Sequence, residues 1–181
     1  TFYSISNCHR GLSGISFGNF LIKQVASVMQ AEFPRLDRFE TLSPVPGFRA
    51  WTEKLLRTES DHGSTNPLIE RARTYLADLE PEIISSPLIE ETLCQLCAYY
   101  LVKEKRHSQP IDPVARFHLG NGAMLSKILF DADLSKTGLN RSYGIMVNYV
   151  YELDEIETRH ENFATYGTIV AAMEVENLAN A

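Results

Sequence analysis

The sequence has little cysteine, with three residues, Cys8, Cys94 and Cys97, in a chain of 181. That is too few, and too unevenly spaced, for a disulfide framework, and it agrees with a reducing compartment. No apolar run approaches the roughly 20 residues of a membrane span, and no basic-then-apolar leader opens the sequence given. The expectation is a soluble, cytoplasmic protein with no membrane partner. Also missing is any block of Lys and Arg. With 17 basic against 23 acidic residues and a formal net charge of −6, a chain-wide nucleic-acid surface is excluded, though a local basic pocket for a phosphorylated ligand is not. There is no internal repeat and no low-complexity tract. What is present is 44% hydrophobic residues, ample for the core of one domain.

Several chemical signatures are absent as well. Cys94 and Cys97 have CxxC spacing, but they lie in "LIEETLCQLCAYYLVKEK", where Leu93, Leu96, Cys97, Tyr100 and Leu101 share one side of an amphipathic helix. No second pair or flanking histidine accompanies them, so they read as core residues rather than a redox or zinc pair. Asp131, Asp133 and Ser135 lack the glycine and distal glutamate of an EF-hand and read as turn residues. No metal site is expected.

The chain opens at Thr1 on "TFYSIS", which reads at once as a strand, so earlier strands of the same sheet are expected to precede it. A glycine loop, "NCHRGLSGISFG", follows, then a helix in which Phe20, Leu21, Val25, Val28, Met29 and Phe33 recur at helical spacing. A short strand is expected over Phe39 to Leu42, closed by "SPVPG". From Arg49 to about Lys105 the pattern is helical, broken at "SDHGSTNP" and "EPEIISSP" into three or four short helices. Strand character returns in "VARFHL", in "MLSKILFDADLS" and most clearly in "GIMVNYVYEL", and the tail from Ile156 reads as a terminal helix. The class is α/β, with a helical excursion between two strands.

Four places could carry chemistry. Gly11, Gly14 and Gly18 stand between a strand and a helix, where backbone N–H groups and the helix dipole can cradle a pyrophosphate, or where a turn simply needs glycine. The spacing is neither GxxxxGK[ST] nor GxGxxG, which counts against those two nucleotide-binding classes. Ser43, in "LSPVPGF", is fixed at a strand end before two prolines; it lacks the GxSxG elbow of hydrolases and is also ordinary turn chemistry. His118, in "PVARFHLGNG", is either a satisfied structural histidine or a site residue, and strand alternation would set it opposite Phe117 and Leu119. In "NYVYEL", period two places Tyr149 and Tyr151 on one face and Asn148 on the other.

The order of these segments, "FYSIS…GLSGISFGNFLIKQV…EFPRLDRFETLSPVPGF", "LCAYYLVKEK", "PVARFHLGNGAML" and "YGIMVNYVYEL", resembles the C-terminal catalytic region of malonyl-CoA decarboxylases over nearly the whole chain. The resemblance implies the later part of a catalytic domain of the GCN5-related N-acetyltransferase (GNAT) fold. That is a mixed sheet flanked by helices, with a helical insertion over about 49–108, its first strands before Thr1 and the family's N-terminal helical domain absent. It implies that Gly11, Leu12, Ser13, Gly14, Ile15 and Gly18 hold the coenzyme A pyrophosphate. The usual loop of that fold is Arg/Gln-x-x-Gly-x-Gly/Ala; here Arg10 is one place early if Gly14 is the first glycine, and Ser16 replaces the last. It matches Ser43 and His118 to the family's catalytic serine and histidine, and Tyr151 to a tyrosine of the same site.

The implied reaction converts malonyl-CoA to acetyl-CoA and CO₂. The thioester carbonyl is its own electron sink, so no cofactor is required beyond the coenzyme A of the substrate. The resemblance also implies a homo-oligomer, and a mitochondrial or peroxisomal address if the source is eukaryotic. Two other classes compete: an acyltransferase that keeps the coenzyme A site, and a non-catalytic module that binds coenzyme A.

Overall fold

A computed structural model of the chain describes residues 18–58, 66–76 and 86–181. The "TFYSIS" strand and most of the glycine loop lie outside those residues. The helix expected after the loop is α1, Gly18–Glu32. Ile22 and Ala26, four residues apart, face inward, whereas Val28 and Phe33 stay 63% and 49% exposed, so the stripe read from the sequence is mostly on the open side.

The strand expected near Phe39 is β1, Phe39–Pro44. It leads through a turn into α2, Phe48–Thr58, α3, Pro67–Leu76, and α4, Pro87–Val102. The two breaks read from the sequence, "SDHGSTNP" and "EPEIISSP", lie mostly outside the described residues, between the described ends of these helices. Both α3 and α4 start on a proline, which costs nothing where the N–H has no helical partner, and the side chain of Asn66 accepts from the N–H of Leu68 at 3.0 Å. Two short strands, β2 (Lys105–Arg106) and β3 (Gln109–Pro110), make a small antiparallel hairpin.

Next comes the main departure from expectation. "VARFHL" is not a strand but part of α5, Pro113–Gly120. Asp112 caps it, its side chain accepting from the N–H groups of Val114 at 2.9 Å and Ala115 at 2.8 Å, with Pro113 in the first turn. Ala115, His118 and Leu119 therefore share the buried face, so His118 lies beside Leu119 rather than opposite it. The chain leaves α5 through Gly122, whose φ is +79° and where an added Cβ would stand 2.2 Å from the carbonyl oxygen of Ile156.

Then follow β4 (Met124–Leu129), α6 (Lys136–Ser142) and β5 (Met146–Tyr151). The tail is not one helix but two, α7 (Ile156–Tyr166) and α8 (Met173–Ala179), because Gly167 takes a left-handed φ of +63° and ends the first.

Apart from the β2–β3 hairpin, the described strands form a three-stranded antiparallel sheet in the order β1-β5-β4. Since β1 and β5 pair Phe39 with Tyr151, Thr41 with Tyr149 and Ser43 with Val147, all six side chains share one sheet face. That face is buried. Leu93, Leu96, Cys97 and Leu101 of α4, Leu125 of β4 and Val175 of α8 complete the surrounding core, each fully buried. At about 1.5 to 3 kcal/mol for each large apolar side chain removed from water, this layer supplies the rigidity that a site needs. Among the described residues, no helix is long and apolar enough to cross a membrane.

Candidate functional site

The antiparallel register and the capped α5 bring three of the sequence-derived residues together. Ser43 Oγ and His118 Nε2 are 3.1 Å apart, and His118 Nδ1 lies 2.8 Å from the hydroxyl of Tyr151. These residues are 75 and 33 positions apart in sequence and come from β1, α5 and β5. All are almost fully buried, at 4%, 3% and 1% exposure for Ser43, His118 and Tyr151.

Two further residues belong to the cluster. Thr41, two residues before Ser43 and so on the same strand face, places its hydroxyl 2.9 Å from Ser43 Oγ. Tyr149 stacks on the His118 ring with centroids 4.5 Å apart and planes 21° from parallel. The sequence carried signals for both. Thr41 stands at i−2 from Ser43, and Tyr149 at i−2 from Tyr151, the spacing that shares a strand face.

Among the described residues, no charged side chain is responsible for the state of the histidine. Burial alone lowers its pKa from 6.5 to about 4, so the imidazole is neutral at physiological pH. Burial likewise pushes the Tyr151 phenol well above its ordinary value and keeps it protonated. The result is a chain of neutral groups, Thr41–Ser43–His118–Tyr151, each able both to donate and to accept. Such a chain can hold an oxygen anion and pass a proton with little rearrangement.

The remaining sequence candidates resolve differently. Gly11, Leu12, Ser13, Gly14 and Ile15 lie outside the described residues, and Gly18 is the first residue of α1. Asn148 is buried on the opposite face, where its amide donates to the carbonyl of Thr41 at 2.7 Å. Cys97 is fully buried and Cys94 partly so; burial raises both thiols, Cys94 to about 11, which is the opposite of a reactive thiolate. Among the described residues, no group of three His, Cys, Asp or Glu side chains gathers as a metal site would require. Tyr151 also borders a polar cavity of about 500 Å³ whose rim carries Asp37, Glu152, Asp154, Glu155 and Arg159. That rim is mainly acidic and ill suited to phosphates.

A small antiparallel sheet covered by helices, with a buried hydroxyl–imidazole–phenol chain on its inner face, defines an α/β domain with a cluster of neutral polar groups shielded from water. The family model for the malonyl-CoA decarboxylase C-terminal domain matches residues 1–181, and the chain belongs to that family. Mitochondrial malonyl-CoA decarboxylase of Mus musculus is 40% identical over 174 residues, covering 85% of this chain and 35% of the mouse protein. The same enzyme of Anser anser anser is 35% identical over 186 residues, covering 92% and 36%. A crystal structure of malonyl-CoA decarboxylase from Rhodopseudomonas palustris superposes with a TM-score of 0.85 at 42% identity, covering 98% of this chain and 41% of that one. The Agrobacterium vitis enzyme gives a TM-score of 0.84 at 43% identity, covering 98% and 44%. The chain thus spans about a third of the length of these curated relatives.

Proposed function

We propose that the chain forms the catalytic part of a malonyl-CoA decarboxylase and that Ser43, His118 and Tyr151 carry the reaction. The observation behind this reading is the buried chain in which Ser43 and Tyr151 occupy the two nitrogens of one neutral imidazole, at 3.1 Å and 2.8 Å. When the C–C bond to the carboxylate breaks, its electron pair moves onto the thioester carbonyl as an enolate, CO₂ leaves, and the α-carbon takes one proton that comes ultimately from solvent. Ser43 donates a hydrogen bond to the carboxylate or to the enolate oxygen. Because both His118 nitrogens are already bonded to hydroxyls, the proton reaches carbon through one of those hydroxyls, with His118 orienting it and restoring its proton.

Coenzyme A is held, in this reading, by Gly11, Leu12, Ser13, Gly14, Ile15 and Gly18 ahead of α1, whose N-terminus favours an anion. The described sheet is part of a GNAT-like sheet carrying the 49–108 segment as a helical insertion, and the protein acts as a homo-oligomer on malonyl-CoA with no metal or added cofactor. The test is release of CO₂ and acetyl-CoA from malonyl-CoA. Ser43→Ala and His118→Ala should each lower turnover on the order of a hundred- to thousandfold, the usual cost of one oxyanion donor. Turnover within about threefold of the parent in both variants would remove the pair from the mechanism.

A further inference from the structure

Tyr149 is fully buried and its hydroxyl finds no hydrogen-bond partner among the described residues, an arrangement that is unfavourable in a protein interior. Its ring, by contrast, is fully engaged. It covers one face of His118 at 4.5 Å and 21°, while Phe117 and Tyr151 meet the imidazole edge-on, at 80° and 69°. An imidazole can bond two oxygens through both nitrogens only when its plane contains both directions, so rotation about its side-chain bond breaks one contact or the other. A flat ring packed on its face opposes that rotation.

We propose that Tyr149 is a positioning residue whose ring face, not its hydroxyl, holds His118 in the plane that reaches Ser43 and Tyr151 together. This rests on the reading of His118 as a working residue of the site. The groups around the imidazole are consistent with a steric and desolvating role. From β1 it meets the neutral hydroxyl of Ser43, with Thr41 behind it. From β5 come the phenols of Tyr149 and Tyr151, both kept protonated by burial. Its own helix contributes Phe117, and at its start Asp112, whose carboxyl burial also pushes upward. Tyr100 and Cys97 of α4, with Asp112, act on the Tyr149 phenol rather than on the imidazole.

The experiment compares the full chain with its Tyr149→Phe, Tyr149→Leu and Tyr149→Met variants, the last as the milder loss should Leu perturb folding. Two quantities are read: the His118 pKa by NMR of labelled histidine, and CO₂ release from malonyl-CoA as a function of pH. Tyr149→Phe should keep both, with kcat within about twofold of the parent. The aliphatic variants should lose about ten- to hundredfold in kcat with a smaller change in KM, and should raise the His118 pKa by on the order of one unit as water reaches the ring. A loss in Tyr149→Phe equal to that in the aliphatic variants would transfer the role to the hydroxyl and overturn the proposal. So would an unmoved pKa and kcat in the aliphatic variants. The NMR reading needs no turnover, so absence of CO₂ release from the parent would count against the proposed reaction while the positioning of His118 is still decided.

Discussion

His118 is neutral because it is buried, and that has a consequence for stability. In the unfolded chain its pKa is the ordinary 6.5, whereas in the fold it is about 4. Between these values the unfolded chain binds a proton that the folded one refuses, so stability falls as pH drops through that window. The full difference is about 3 to 4 kcal/mol at roughly 1.4 kcal/mol per pKa unit. Urea unfolding at neutral and mildly acidic pH should show this loss in the parent, and His118→Gln should lose less over the same range. Equal pH dependence in the two proteins would contradict a depressed histidine. At the other end of the chain of hydroxyls, Thr41 gives Ser43 its second partner, at 2.9 Å. Thr41→Val removes that bond and should cost about 1 kcal/mol of stability, with slower CO₂ release, while Thr41→Ser should restore both; full activity in the valine variant would exclude Thr41 from the site.

At the scale of elements, the position of His118 depends on how α5 begins and ends. Asp112 accepts two backbone N–H groups at the start, and His160 of α7 meets the carbonyl of Gly120 at the end, 2.5 Å away. Asp112→Ala should therefore lower stability by about 1 to 2 kcal/mol, as loss of a helix cap does, and should slow turnover through misplacement of His118. Asp112→Asn keeps an acceptor at the cap and should be milder, because burial already disfavours the carboxylate charge. Thermal melts and initial rates of the two variants decide this, and equal damage from Asn and Ala would mean that the charge itself is needed. The same helix shows where sequence reading fails. β1, α4 and β5 were legible because their apolar periods agree with their turn residues. In "VARFHL" the alternation of side chains suggested a strand, but Asp112–Pro113 just before it is a cap followed by a first-turn proline, and that local signal prevailed. Ser43, His118 and Tyr151 were legible as a set through resemblance to the family. Thr41 was not singled out, although its i−2 spacing from Ser43 puts both on one strand face, because a threonine in a strand is ordinary until the serine beside it is known to meet an imidazole.

Across the whole molecule, the scaffold and the site are carried by different groups. Leu101 of α4 is fully buried in the core and makes none of the hydrogen bonds of the Ser43–His118–Tyr151 chain. Leu101→Ala should leave a cavity and cost about 2 to 5 kcal/mol, read as a lower urea midpoint with an unchanged slope. Its turnover per folded molecule should stay within about twofold of the parent, because the chain of neutral groups is untouched. Ser43→Ala should do the reverse, with a large loss of rate and a small shift of midpoint. The contrast depends on the sheet face staying rigid when α4 is weakened. If Leu101→Ala stayed folded yet lost turnover as severely as Ser43→Ala, the helical layer would be holding the imidazole in place, and α4 would have to be counted with β1, β5 and α5 among the elements that position the candidate site.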